Sequence, residues 1–200
     1  MLDPLSRPTV RPDLIHGEAE VVAAMQAWME QAVIGLNLCP FARGVQQRNA
    51  IRWVVTDART PMALAEVLAE ELMRLTESDP AEIETTLLVH PGVFQEFEEF
   101  NDFLDVAEGL LDSLGLVGEV QIASFHPDYR FAGEPEDDIS HATNRSPFPT
   151  LHLLREESVS RAVDALPAPD IIPERNIETL RRLGASGWAA LSARFRSGKA

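Results

Sequence analysis

The chain has 200 residues, 45% of them apolar and 24% charged, which is enough for one domain with a sizeable core and no disulfide or metal staple. A single cysteine, Cys39, excludes an internal disulfide framework and suits a reducing compartment. The net charge is −15, and between Glu77 and Asp138 there are 17 Asp or Glu against one arginine, Arg130, which argues against a surface for nucleic-acid phosphates.

The N-terminal residues 1–16 are proline-rich and aperiodic and read as a mobile arm. They contain no apolar segment of the signal-peptide kind, and no apolar run in the chain approaches a membrane span, so the expected location is cytoplasmic. From Glu18 to Leu38 apolar residues recur at helical spacing (Val21, Val22, Met25, Trp28, Met29, Ala32, Val33, Leu36), and Pro40 predicts an end near Cys39. Ile51–Val55 is short and β-branched, a strand. Thr60-Pro61 supplies an N-cap and a first-turn proline for a helix that Leu64, Val67, Leu68 and Leu72 carry to about Thr76.

Glu84–Val89 reads as the second strand. After His90-Pro91-Gly92, the residues Phe97, Phe100, Leu104, Ala107, Leu111 and Leu114 mark one face of a long helix, opposed by Glu96, Glu99, Asp102 and Asp105. Gly115 closes it, and Val120–Phe125 is the third strand. A loop from Pro127 to Phe148 precedes a fourth strand near Thr150–Leu154 and a helix over Glu156–Leu166. Leu166-Pro167-Ala168-Pro169 is a linker, followed by a helix from Pro173 to Leu183 and a shorter one over Gly187–Phe195. Strands separated by helices predict an α/β core over 17–166, a largely parallel sheet of about four strands flanked by helices. Residues 167–200 then form a linker and helical tail.

In such sheets ligands collect beyond the carboxyl ends of strands, which here carry Asp57, His90-Pro91 and His126-Pro127-Asp128-Tyr129. The long loop adds Arg130, Asp137, Asp138, His141, Thr143, Asn144, Arg145 and Ser146, and the first helix delivers Cys39 and Arg43 to its own end. Histidine titrates near about pH 6.5, so His126 and, beside it, His90 are candidates for acid–base work. The competing reading has each ring hydrogen-bonded as a strand cap. Cys39 is either a nucleophile or a small core residue, and a helix C-terminus opposes a thiolate. Arg145, with Asn144 and Ser146, suits a bound carboxylate or phosphate, or else clamps the loop to Asp137 or Asp138. Arg43, Asp128 and Tyr129 complete the candidate ligand-binding set. His152, between leucines, reads as a satisfied core histidine, and His16 and His141 as solvent-facing.

The blocks Gly35-Leu36-Asn37-Leu38-Cys39-Pro40-Phe41-Ala42, Ala123 to Gly133, Thr143-Asn144-Arg145-Ser146-Pro147 and Leu151-His152-Leu153-Leu154-Arg155-Glu156 resemble an uncharacterised bacterial family. It is the one catalogued as domain of unknown function 1415, and the likeness spans roughly residues 20–165. The resemblance implies a family membership and no chemistry.

Three functions fit the sequence. The first is an enzyme acting on a small anionic or polar metabolite, with His126 as acid/base, His90 as partner, Arg145 as anion clamp and residues 127–148 as a lid. A metal-dependent hydrolase would use His126, His90 and Cys39 or Asp128. A non-catalytic acidic adaptor would dock a basic partner on its acidic helix and use the motif loop as a clasp. No metal or cofactor motif occurs, and neither cofactor nor oligomeric state is legible.

Overall fold

A computed structural model describes residues 17–166 and 169–196. The expected N-terminal arm and residues 167–168 of the proline linker lie outside the described residues. Helix α1 (Glu18–Trp28) runs into a π-helical segment, Met29–Ile34. Gly35 follows, where a Cβ would lie 2.3 Å from the carbonyl oxygen of Gln31, so only glycine fits. Asn37 then turns the chain out at φ 54°, a left-handed cap that asparagine tolerates.

A short helix that the periodicity did not reveal, α2 (Ala42–Gln47), leads to β1 (Ile51–Val55). The next helix, α3 (Pro61–Glu77), starts on the expected cap, with the Thr60 hydroxyl accepting from the amide of Ala63 at 3.2 Å. Strand β2 (Thr85–Val89), helix α4 (Phe97–Ser113) and strand β3 (Val120–Phe125) follow in the predicted order. After the long loop, which contains a 3-10 turn at Ile139–Asn144, come β4 (Thr150–Arg155) and α5 (Glu156–Asp164). The last helix, α6 (Ile172–Arg196), breaks at Gly184 with φ 70°, where the sequence separates two helices.

The sheet order is β1-β2-β4-β3. β1, β2 and β3 point the same way, as successive helical crossovers require. β4 inserts antiparallel between β2 and β3, so two of the three ladders are antiparallel. The α4 crossover leaves a vacant lane, and the loop after β3 reverses the chain into it. Val89, Thr150 and Phe125 lie in register, which brings the ends of β2 and β3 and the start of β4 to one edge.

The α/β domain is layered, with helices on both faces of the sheet. On one face Leu88, Leu151 and Leu153 meet Leu64, Leu68 and Leu72 of α3 and Phe97, Phe100 and Phe103 of α4. On the other, Leu87 and Val89 meet Val21, Met25 and Trp28 of α1 and Leu180, Trp188 and Phe195 of α6. The C-terminal helix therefore closes half of the core. Charged residues pin the margins: Arg52 of β1 grips the buried Glu71 of α3 through two bonds of 2.6 and 2.9 Å. Arg155 donates to the carbonyls of Ser78 at 2.7 Å and Ile83 at 3.0 Å, and to that of Leu75, holding the α3–β2 turn against β4.

Leu180 is fully buried on α6. Leu180→Ala should lower the unfolding free energy by about 3 kcal/mol in urea titration, the cost of a buried cavity. A tail merely laid on a finished domain would show a change within error.

Candidate functional site

Each strand end at the common edge delivers a histidine or its partner. His90 continues β2, and its amide donates to the carbonyl of Pro149 at 3.0 Å, just before β4. His126 continues β3, with its amide on the carbonyl of Asn144 at 3.2 Å and its own carbonyl accepting from the amide of Ser146 at 3.4 Å. Because side chains alternate along strands, both imidazoles turn towards the α4 face. Both pack against Phe100, with ring centroids at 5.3 Å for His90 and 5.4 Å for His126.

His126 is fully buried, and both ring nitrogens are engaged by backbone. Nδ1 accepts from the amide of Asp128 at 3.0 Å, which fixes the proton on Nε2, and Nε2 donates to the carbonyl of Phe94 at 3.1 Å. Phe94 sits at φ 58°, an uncommon conformation for a bulky residue, and this turns its carbonyl towards the ring. Burial lowers the His126 pKa, opposed by the Phe94 carbonyl and the nearby charge of Asp128. The imidazole is neutral, and its lone pair and proton are both occupied.

His90 differs. Its Nδ1 donates to the carbonyl of Val93 at 3.2 Å, while Nε2 is buried and has no hydrogen-bond partner among the described residues. Burial pushes its pKa down to about 4. His141, expected at the surface, is instead buried: Nδ1 accepts from the amide of Phe131 at 3.1 Å and Nε2 donates to the carbonyl of Pro135 at 2.8 Å. The loop folds round this ring as a template, and sequence periodicity carries no sign of that. His152 lies on the opposite face, its Nε2 2.7 Å from the Thr85 hydroxyl, with burial pushing its pKa to about 4. His16 lies outside the described residues.

The remaining loop residues also tie backbone together. The Asn144 amide donates to the carbonyl of Ser124 at 3.2 Å, and the buried Ser146 hydroxyl donates to that of Phe148 at 2.6 Å. Arg145 donates from Nε to the carbonyl of Tyr129 at 3.3 Å, and its own carbonyl accepts the indole N–H of Trp28 at 2.9 Å. Asp138 caps the 3-10 turn through the amide of Ser140 at 2.7 Å and faces Arg181 of α6 at 3.9 Å. Asp138 thus ties the loop to α6. Asp137 is exposed.

Cys39 is a free thiol whose pKa burial raises, so it stays protonated. It packs in the α1/α6 layer, across the sheet from the His90 and His126 imidazoles. Arg43 on α2 and Asp128 beyond β3 are exposed. The Tyr129 ring rests between Phe97 and Phe131, at 5.0 Å from each. The structure therefore brings His90, His126, Asn144, Arg145 and Ser146 to one edge and leaves Cys39 and Arg43 on the other face. Among the described residues, no three of His, Cys, Asp and Glu converge where they could hold a metal ion.

Two residues that matter here were not candidates. Trp28 bolts the loop to α1, and a buried indole N–H needing an acceptor was the available signal. Phe94 supplies the His126 acceptor, and nothing local in the sequence marks it. A concavity of about 260 Å³ lies by Val120, Arg155 and Ser158, at the opposite end of the sheet from the histidines. Among the described residues, no helix is long and apolar enough to cross a membrane.

These layers and this clasped edge define a small α/β domain closed by its own C-terminal helix. The family model described as "Protein of unknown function (DUF1415)" matches residues 20–190, and the chain belongs to that family. The matched span reaches beyond the motif blocks into α6, in keeping with that helix's place in the core. No curated protein and no solved structure matches the chain.

In the unfolded chain a histidine titrates near about pH 6.5, whereas folded His90 resists protonation to about 4. The unfolded state takes the proton first, so the stability contribution is full above that unfolded value and is lost as pH falls towards the folded one. Urea titrations should show a loss of about 3 kcal/mol from His90 on acidification through this window, with a shallower slope for His90→Phe. A pH-independent midpoint would refute a buried neutral imidazole. His126→Ala strips partners from the Phe94 carbonyl and the Asp128 amide, and should cost about 3 kcal/mol at neutral pH, read from the same titration.

Proposed function

We propose that this chain is a non-catalytic, cytoplasmic interaction protein that presents the acidic face of α4 to a basic partner. One observation carries this reading: the His126, His141, Asn144 and Ser146 side chains of the motif segment hydrogen-bond to backbone, while the carboxylates of α4 face solvent. Glu99, Asp102, Asp105, Glu108 and Asp112 are exposed and have no ion-pair partner among the described residues. Glu98 on that helix meets a cation, Arg130, at 3.3 Å. A field of one sign raises the rate of encounter with an oppositely charged surface and repels nucleic acid.

The enzyme reading draws less support from the same geometry. A general base needs an available lone pair, and that of His126 is held by the Asp128 amide. The hydrolase reading needs Cys39 beside His126 and His90, but the thiol packs on the other face; Asp128 is exposed and gives its amide, not its carboxylate, to the ring.

Titrating a fluorescent sixteen-residue Lys/Arg peptide tests the proposal. Affinity should fall by at least about tenfold between about 50 and 300 mM salt, as screening requires. It should fall similarly in the triple variant Glu99→Lys, Asp102→Lys, Asp105→Lys, whose substituted side chains touch no core. Failure of the peptide to bind at low salt, or unchanged binding by the variant, would sink the proposal. A small carboxylate or phosphate that raises Tm in the wild type but not in Arg145→Ala would restore the enzyme reading.

A further inference from the structure

The geometry points to a second element of that docking surface, and we infer that a groove beside α3 seats the apolar side of a basic amphipathic helix. The inference rests on the acidic-partner reading above and adds where, and in what conformation, the partner sits. The groove is shallow, about 570 Å³, with Ala69 and Met73 of α3 and Leu114 at the end of α4 as its apolar lining. Met73 is 39% exposed beside Leu72 and Leu75, which are fully buried, while Met62 at the far end of the same helix is 74% exposed. An unbranched, polarisable side chain in such a position adapts to varied apolar partners.

Charge decides which occupant fits. Glu70 and Glu77 line the groove, are exposed, and have no ion-pair partner among the described residues. Arg74, which also lines it, is drawn to Glu71 at 3.6 Å. α3 and α4 pack side by side on one face of the sheet, so the groove joins the helix that carries the acidic face. A second copy of this chain, with net charge −15, would bring like charges together there. A helix with apolar residues on one side and Lys or Arg on the other satisfies both the lining and the rim.

The probe is an eighteen-residue peptide of leucine and lysine at helical spacing, compared with a scramble of identical composition that has no apolar face. The patterned peptide should bind at least about tenfold more tightly than the scramble. Met73→Glu is decisive because it removes an apolar contact while adding an acid: seating in the groove predicts weaker binding of the patterned peptide, whereas attraction by charge alone predicts stronger. The substituted side chain is partly exposed, and an unchanged Tm confirms the fold. Equal binding of both peptides, or tighter binding by Met73→Glu, overturns the groove while leaving the acidic reading intact. No binding of either peptide at low salt overturns both. A dimer in sedimentation that Met73→Glu dissolves assigns the groove to a second copy and also overturns the inference.

Discussion

The edge of this domain is organised by one buried ring. His126 receives the amide of Asp128, gives its proton to the carbonyl of Phe94, and stacks on Phe100, while its main chain pairs with Asn144 and Ser146. The imidazole is the only side chain that offers one donor and one acceptor on opposite sides of a rigid ring, so it can bridge two backbone segments that have no strand pairing. Here it joins the turn after β2 to the loop after β3. Neutrality is a condition of that bridge, and burial among phenylalanines secures it. The same bond accompanies the left-handed backbone of Phe94: relaxing that backbone would swing its carbonyl, the acceptor, away from the Nε2–H of His126.

From this bridge the rest of the loop follows. With His126 fixed, its main chain orders Asn144 and Ser146, and Pro149 meets the amide of His90, so the chain enters β4 in register between β2 and β3. His141 repeats the device further out, wrapping Phe131 and Pro135 around its ring. Trp28 fastens the result to the helical layer on the other face. A long loop with this many internal bonds is a folded element in its own right, and its polar composition serves the backbone. On α3 and α4, by contrast, exposed carboxylates border a shallow groove lined by Ala69, Met73 and Leu114.

What the sequence by itself determined is the strands, the longer helices and the charge. Helical and strand periods, the Thr60-Pro61 start and the break between two C-terminal helices are local properties, written in residues close together along the chain. So is the excess of carboxylates on α4, since a helix's outer face is set by spacing. The family blocks also marked which segments belong together: Ala123 to Gly133 and Thr143 to Pro147 meet at His126.

Tertiary structure alone decided what the polar residues do. The reversal of β4 depends on a vacant lane between β2 and β3, which no local signal reports. Whether His126, His90 or His141 carries a usable lone pair depends on which distant carbonyl or amide faces it, and Phe94 is 32 residues from the ring it serves. Cys39 and His126 both stand at element ends, yet Cys39 follows a helix of the α1 layer while His126 continues β3 with its ring towards α4, so they lie on opposite faces of the sheet. A residue's type fixes the hydrogen bonds it can make; only the folded chain fixes whether those bonds go to backbone or remain for a ligand.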